Sequence, residues 1–277
     1  MIDSDQENFN DPHPYDDEIN LRELFNVIWE GKKLIILITS VVAICTIVFS
    51  LMLPNYYSSE SVLVARDSQS SAGLSQYSGL ASLAGVSLPS SGATPVSEVM
   101  EIIRSREFVK HLITFENVLP SIMAAKTYDA ASQELYFDPE VYDAKTKTWI
   151  RETSKNKGTK PSYIEAHKEY LTMLSISQDK KTGLISIKIE HISPIFAKDF
   201  LALVIKEANT LNREIDIDSS SKALSYLKIE LSQTSLVEIK KSINQLIEAQ
   251  LETRMMASIY DEYSLISLEP PFIPEEK

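Results

Sequence analysis

The stretch LIILITSVVAICTIVFSLML, residues 34–53, decides how the chain is organised, because its twenty residues include no charged residue, glycine or proline. At about 1.5 Å per residue, a helix of this length spans about 30 Å, the thickness of a bilayer's hydrocarbon core. A signal peptide is the alternative, but its apolar region is shorter and lies nearer the first methionine. The sequence therefore predicts a transmembrane helix at 34–53.

Basic residues beside this helix indicate its orientation. Lys32 and Lys33 directly precede it, whereas the next basic residue after it is Arg66. Lysine and arginine close to a membrane helix mark its cytoplasmic side. We therefore expect the N-terminus to face the cytoplasm.

Two further patterns belong to the membrane region. Apolar residues at helical spacing in 21–30 predict an amphipathic helix that lies in the headgroup layer of the lipid bilayer. Within the span, small residues at helical spacing predict close packing of another membrane helix. These small residues are Thr39, Ala43, Thr46 and Ser50.

Composition excludes several classes of protein. The 277 residues carry 27 Lys and Arg against 39 Asp and Glu, a net charge of −12. Such a chain lacks the basic surface of a nucleic-acid binder, so we expect no nucleic-acid partner. The single cysteine, Cys45, cannot close a disulfide within the chain. Residues 1–30 hold nine acids and one base, which makes the tail strongly acidic.

The first part of the soluble region alternates between strand and helix signals. The β-branched run at 61–65 predicts a strand. Residues 67–95 hold nine serines, four glycines and four alanines, which predicts a partly ordered loop, with a disordered linker as the alternative. Thr94 and Pro95 predict the start of a helix that runs to Ile113.

The following part predicts an insertion and then a hairpin. Residues 121–168 are polar and predict an insertion with short helices. Residues 174–190 alternate apolar and polar around a turn that contains Gly183, which predicts a β-hairpin. The residues expected on its buried face are Ile185, Ile187 and Ile189.

The last part is an unusually long helical region. From 195 to 269, 75 residues contain no glycine or proline. The weakest helix formers lie at 216–221, where we expect a bend or break. The apolar stripes after this point exceed what a small base can cover, so we expect them to pack between copies of the chain in a closed homo-oligomer. The residues expected at this contact are Leu236, Ile239, Ile243, Leu246, Ile247 and Leu251.

No pattern of catalytic residues emerges. The four histidines, His13, His111, His167 and His191, are far apart and form no metal-binding motif. The chain contains no phosphate-binding glycine loop and no nucleophile elbow. We therefore expect no catalytic residue, no cofactor and no metal site.

Several segments together resemble the Wzz-type chain-length determinants, which are class 1 polysaccharide co-polymerases of Gram-negative inner membranes. The motifs that carry the resemblance are EINLRELF at 18–25, WEGKK at 29–33, PNYYSSES from Pro54, LASLAG at 80–85, EIIRSREF at 101–108, and LEPPFIPEE at 268–276, with Pro270, Pro271 and Pro274. Their order and spacing make the resemblance specific.

The resemblance implies a membrane-anchored α+β fold with a long protruding helical arm. The parts are a cytoplasmic tail with an interfacial helix at 1–33, a transmembrane helix at 34–53, a periplasmic α+β base at 54–193, the arm at 194–264, and a return strand with a proline-rich approach to a second transmembrane helix at 265–277. Because relatives continue into that second helix, we expect that the chain either has been shortened at Lys277 or continues beyond it.

The resemblance also implies a non-catalytic function. Such a chain sets the modal length of the O-antigen of lipopolysaccharide made by the Wzx/Wzy-dependent pathway. It acts as a ring-like homo-oligomer with the membrane polymerase and a lipid-linked glycan. One alternative is a co-polymerase for another glycan, enterobacterial common antigen or capsule. The other is a membrane-anchored periplasmic sensor, which would need a cytoplasmic output module that the acidic tail does not supply.

Overall fold

The computed structural model describes residue 29 and residues 31–52, 55–66, 96–152 and 158–275. It divides into two compact units, Met1–Leu53 and Pro54–Lys277. The described elements are, in chain order, α1 (Lys32–Met52), β1 (Tyr57–Ala65), α2 (Val96–Arg104), α3 (Arg106–Leu112), α4 (Val118–Met123), β2 (Ala125–Asp129), β3 (Glu134–Phe137), β4 (Tyr142–Asp143), β5 (Thr148–Trp149), α5 (Tyr163–Met173), β6 (Leu174–Gln178), β7 (Ile185–His191), α6 (Pro194–Gln233), α7 (Val237–Ile259) and β8 (Leu265–Glu269).

The first unit contains α1, which confirms the helix expected at 34–53. Over Lys32–Ser50 it is long and apolar enough to cross a membrane, by length and composition alone, and no other helix among the described residues is. The hydroxyls of Thr39 and Thr46 donate to helix carbonyls at 2.8 Å and 2.7 Å, so neither is left unpaired. The amphipathic helix predicted at 21–30 lies outside the described residues, except for Trp29.

A four-stranded antiparallel sheet, in the order β6-β7-β1-β8, organises the second unit. The predicted hairpin is confirmed as β6 and β7, and Ile185, Ile187 and Ile189 are fully buried on one face. At the turn, Gly183 has a φ of +74°, a left-handed conformation that glycine adopts without steric penalty. The strand predicted at 61–65 is confirmed and extends back to Tyr57.

Helices cover the buried face of this sheet and complete one hydrophobic core. The N-terminal half of α6 packs against β1 and β7, while α2, α3 and α5 pack around it. Tyr170 is fully buried at the centre, and its hydroxyl donates to the carbonyl of Ile103 at 3.1 Å. Its ring lies edge-on to that of Phe200, with the centroids 6.0 Å apart.

The helix predicted to run to Ile113 is two helices, α2 and α3. Ser105 separates them, because it adopts an extended conformation and its hydroxyl accepts a hydrogen bond from the N–H of Phe108. A serine in this role starts a new helix rather than continuing the old one. The predicted start at Thr94 and Pro95 lies outside the described residues.

The prediction of short helices in the insertion is wrong for residues 125–149, which form two β-hairpins, β2–β3 and β4–β5. Aspartate side chains stabilise the turns, since Asp129 and Asp143 each accept from a backbone N–H two residues ahead at 2.9 Å. Aromatic rings pack across the second hairpin, with the centroids of Tyr142 and Trp149 4.9 Å apart.

The prediction of a break at 216–221 is also wrong, because α6 is one helix of 40 residues that continues through this stretch. The hydroxyls of Ser220 and Ser221 donate to carbonyls four residues earlier, and Lys222 pairs with Asp218 at 2.6 Å. These contacts satisfy the polar side chains within the helix. The chain turns instead at 234–236, and α7 packs along the C-terminal half of α6 as an antiparallel helical hairpin.

Asn209 fixes the point where this hairpin returns to the sheet. Its amide oxygen accepts from the N–H groups of Ser264 and Leu265, both at 2.8 Å, and its amide nitrogen donates to the carbonyl of Leu265 at 2.9 Å. The side chain therefore bonds both backbone groups of Leu265, as a neighbouring strand would. Asn212, one turn further along α6, is equally buried, yet its amide atoms have no hydrogen-bond partner among the described residues.

These two asparagines provide a matched test of the contact. We predict that Asn209→Leu lowers the free energy of unfolding by about 3 kcal/mol, because three hydrogen bonds are lost. Asn212→Leu should leave it unchanged or raise it by about 1 kcal/mol, since an unpaired buried amide is removed. Urea unfolding of the detergent-solubilised chain measures both values. Equal losses in the two variants would contradict this role for Asn209.

Candidate functional site

The described histidines serve three separate structural contacts. His111 lies 2.7 Å from the buried carboxylate of Glu207, and His167 donates to the carbonyl of Arg104 at 2.8 Å. Burial lowers the pKa of His191, whose Nδ1 accepts from the N–H of Ser193 while Nε2 donates to a carbonyl. Among the described residues, no group of three or more His, Cys, Asp or Glu side chains could hold a metal ion.

The helical hairpin carries two exposed apolar surfaces, and the first lies on α7. Leu251, Met255 and Ile259 follow one another at intervals of four residues, and each is more than half exposed. Side chains four apart adjoin on a helix surface, so with the half-buried Ile247 they form a continuous ridge, hereafter the α7 ridge. The ridge lies on the opposite side of α7 from Ala257, which is fully buried in the hairpin.

The second exposed surface lies on α6, at Ile215, Tyr226 and Ile229, and is called the α6 face below. Tyr226 and Ile229 are each more than half exposed, whereas Leu224 and Leu227, on the other side of the helix, are buried. The α6 face and the α7 ridge therefore point away from each other across the hairpin. They also differ in chemistry, because the Asp218–Lys222 ion pair interrupts the α6 face.

The six residues predicted for oligomer contacts differ in their exposure to solvent. Leu236, Ile239 and Leu251 are exposed, at 58%, 44% and 51%, so they remain candidates for contact with another copy. Leu246 and Ile247 are half-buried, and Ile243 is buried within its own chain. A charge at Ile243 would therefore disrupt the hairpin itself, so this residue cannot report on assembly alone.

Polar contacts hold the root of the hairpin, where α7 leads into β8. Tyr263 donates to the carboxylate of Asp216 at 2.8 Å, and Arg213 pairs with Asp261 at 3.4 Å. Burial raises the pKa of Asp216, the hydrogen bond from Tyr263 opposes that shift, and the negative charge of Glu98 adds to it. Burial and the bond to Asp216 also raise the pKa of Tyr263.

The chain beyond β8 returns along β1. The hydroxyl of Ser61 donates to the carbonyl of Glu269 at 2.6 Å, and that of Ser59 donates to the carbonyl of Phe272 at 2.7 Å. These bonds hold the segment that contains Pro270, Pro271 and Pro274. Pro54, the remaining proline of the predicted motif, lies outside the described residues.

Comparison with known families adds the deciding observation. Residues 17–115 match the family model described as Wzz, chain length determinant protein. Over these residues the chain is similar to the Wzz family. The match includes α1, β1, α2 and α3.

Two other comparisons add little. No curated protein matches the chain significantly in sequence. A solved fragment of WzzB, a polysaccharide co-polymerase from Salmonella Typhimurium, is 15% identical over 79% of this chain and 97% of its own, with a TM-score of 0.30. A score this low carries no argument about this chain.

The contact residues predicted from the sequence do not include the whole α7 ridge. Met255 and Ile259 continue the four-residue spacing of Ile247 and Leu251, so that repeat could have revealed the whole α7 ridge. Asn209 gave no such signal, because its partners lie 55 and 56 residues further along the chain.

The raised pKa of Asp216 gives a pH prediction. A carboxyl whose pKa is higher in the folded state stabilises the fold when protonated and loses that contribution as the pH rises through its pKa. Asp216→Asn should therefore raise the free energy of unfolding, relative to the native chain, most strongly near pH 7. This gain should shrink towards about pH 4. Urea unfolding of both chains across this range measures the difference. An advantage independent of pH would contradict the assignment.

Proposed function

We propose that this Wzz-type chain is a non-catalytic regulator that sets the modal length of O-antigen in lipopolysaccharide. It is held in the inner membrane by α1, works mostly in the periplasm, and acts with the membrane polymerase on a lipid-linked glycan. The family match supports the role in chain length. The observation that carries the mechanism is the pair of opposed apolar surfaces on the helical hairpin.

Neighbouring copies provide the cover that these surfaces lack. Removing apolar surface from water is favourable by about 25 cal/mol per Å², so exposed isoleucine, leucine and tyrosine side chains favour contact. Because the α7 ridge and the α6 face differ and point apart, the ridge of one copy packs on the face of the next. Repeated head-to-tail contacts of this kind close into a ring when the rotation between copies allows it.

In this proposal a non-catalytic ring controls length together with the polymerase, which performs the sugar transfer. The small residues Thr39, Ala43, Thr46 and Ser50 offer a surface for another membrane helix, either of the polymerase or of a neighbouring copy. The ring then changes when polymerisation stops and leaves the chemistry of sugar transfer to the polymerase.

Deletion of the gene tests this function directly. We predict that glycan synthesis persists and that the length distribution broadens, because the polymerase remains active without its regulator. Silver-stained lipopolysaccharide from the deletion strain and from the complemented strain shows the distribution. Complete loss of polymer, or a ladder identical to that of the parent, would refute the proposal.

The membrane topology has a separate test. In a chain with Cys45 replaced, single cysteines near Asp11 and near Asn156 should differ in reaction with a membrane-impermeant thiol reagent on cells with a permeabilised outer membrane. We predict labelling near Asn156 and none near Asp11, because Lys32 and Lys33 retain the N-terminus in the cytoplasm. The reverse pattern would overturn the orientation.

Assembly through the hairpin can be separated from folding. We predict that Leu251→Glu with Met255→Glu dissociates the oligomer but leaves the helix content unchanged, because both side chains are exposed in the single chain and two charges oppose burial in a contact. Sedimentation in detergent and circular dichroism measure the two effects.

A matched control places the same substitutions on exposed apolar residues of α5. Ile164→Glu with Leu171→Glu should keep the oligomer intact, since both residues are exposed and lie on the base rather than on the hairpin. Unchanged sedimentation of the ridge variant, or equal dissociation of the control, would argue against the hairpin contact.

A further inference from the structure

A groove of about 530 Å³ lies beside the root of the hairpin, between the N-terminal half of α6 and the chain around β8. This volume is within the usual range of ligand-binding sites. The apolar part of its lining includes Ile205 of α6 and the rings of Pro270 and Pro271. Polar side chains from α6 and from the chain around β8 complete the lining.

The charges of the lining residues balance. Lys206 and Arg213 contribute two positive charges from α6, and Asp261 and Glu262 contribute two negative charges from the segment between α7 and β8. A groove without net charge gains no electrostatic advantage for an anion or for a cation. The lining therefore favours a neutral ligand that both accepts and donates hydrogen bonds.

The groove also contains unused hydrogen-bonding capacity. Lys206 is exposed and forms no ion pair within the described part of the chain. Arg213 and Asp261, which also line the groove, pair with each other at 3.4 Å. Ser267 lines the groove, and its hydroxyl is buried with no hydrogen-bond partner among the described residues.

An extended peptide fits this groove poorly. Asn209 already occupies both backbone groups of Leu265 at the outer edge of β8. Pro270 and Pro271 have no N–H to donate, so the strand edge cannot continue past β8. Pairing of a peptide strand with β8 is therefore blocked on both sides of Ser267.

We propose that this groove binds a short stretch of a neutral glycan. Lys206, Arg213 and Asp261 bind sugar hydroxyls, which both donate and accept, and the two proline rings pack against the C–H faces of the sugars. The inference rests on the proposed function, in which a growing glycan is the material whose length is controlled. It adds that the base of each copy contacts the glycan directly.

Binding is tested with the 277-residue chain in a zwitterionic detergent, because a detergent with a sugar headgroup would compete for the groove. The probes are neutral oligosaccharides of about three to six sugars, a size suited to a groove of this volume, released by partial acid hydrolysis of the surface polysaccharide of the producing bacterium. Inorganic phosphate is the charged comparison. Titration calorimetry measures the Kd.

Two double variants separate the groove from the rest of the surface. Lys206→Ala with Asp261→Ala should raise the Kd for the oligosaccharide by at least about tenfold, since hydrogen bonds to two charged groups are lost. Lys228→Ala with Glu238→Ala removes the same charges from exposed positions on the outer hairpin and should leave the Kd unchanged. The inference is overturned if no oligosaccharide binds saturably, if the groove variant binds as the native chain does, or if phosphate displaces the sugar.

These outcomes are independent of the test of the proposed function. If deletion broadens the glycan ladder but no oligosaccharide binds, chain-length control stands and the groove assignment falls. If oligosaccharides bind in the groove but deletion leaves the ladder unchanged, the binding site stands and the proposed function falls.

Discussion

The hydrogen bonds of Asn209 to Ser264 and Leu265 are the constraint that fixes the position of the helical hairpin. They fix β8 beside α6, and β8 in turn pairs with β1 in the central sheet. At the other end, the hydroxyl of Ser193 caps α6 directly after β7. Both ends of the helical hairpin are therefore anchored in the same base, and the hairpin presents its surfaces at fixed positions.

Because the hairpin is anchored at both ends, its two exposed apolar surfaces face fixed directions relative to the base. The hairpin buries Leu224, Leu227 and Ala257 between its two helices, which leaves the α6 face and the α7 ridge on opposite sides. Opposed and dissimilar surfaces suit a repeated head-to-tail contact better than a two-fold contact, in which each surface would have to match itself. In the proposed ring, the number of copies would follow from the angle between these two surfaces.

The parts of the fold that follow from local patterns were predictable, and the parts that depend on distant contacts were not. Alternation at Ile185, Ile187 and Ile189 is a local signal, and the hairpin it predicts is confirmed. The stretch 216–221 has weak helix formers, but Asp216 bonds to Tyr263, 47 residues away, and the helix continues. The apolar residues of this region follow a helical spacing that shifts between Leu231 and Leu236. This shift lies closer to the observed turn at 234–236 than the weak helix formers at 216–221 do. Helix propensity is outweighed here by tertiary contacts.

Disulfide cross-linking between copies tests the head-to-tail contact most directly. The chain with Cys45→Ser, Tyr226→Cys and Leu251→Cys carries one thiol on the α6 face and one on the α7 ridge, which point apart within a single chain. Oxidation in native membranes should link successive copies into a ladder of multimers, whereas either single cysteine alone should give monomers. Dimers from a single-cysteine chain, or no cross-link in the double-cysteine chain, would contradict the account.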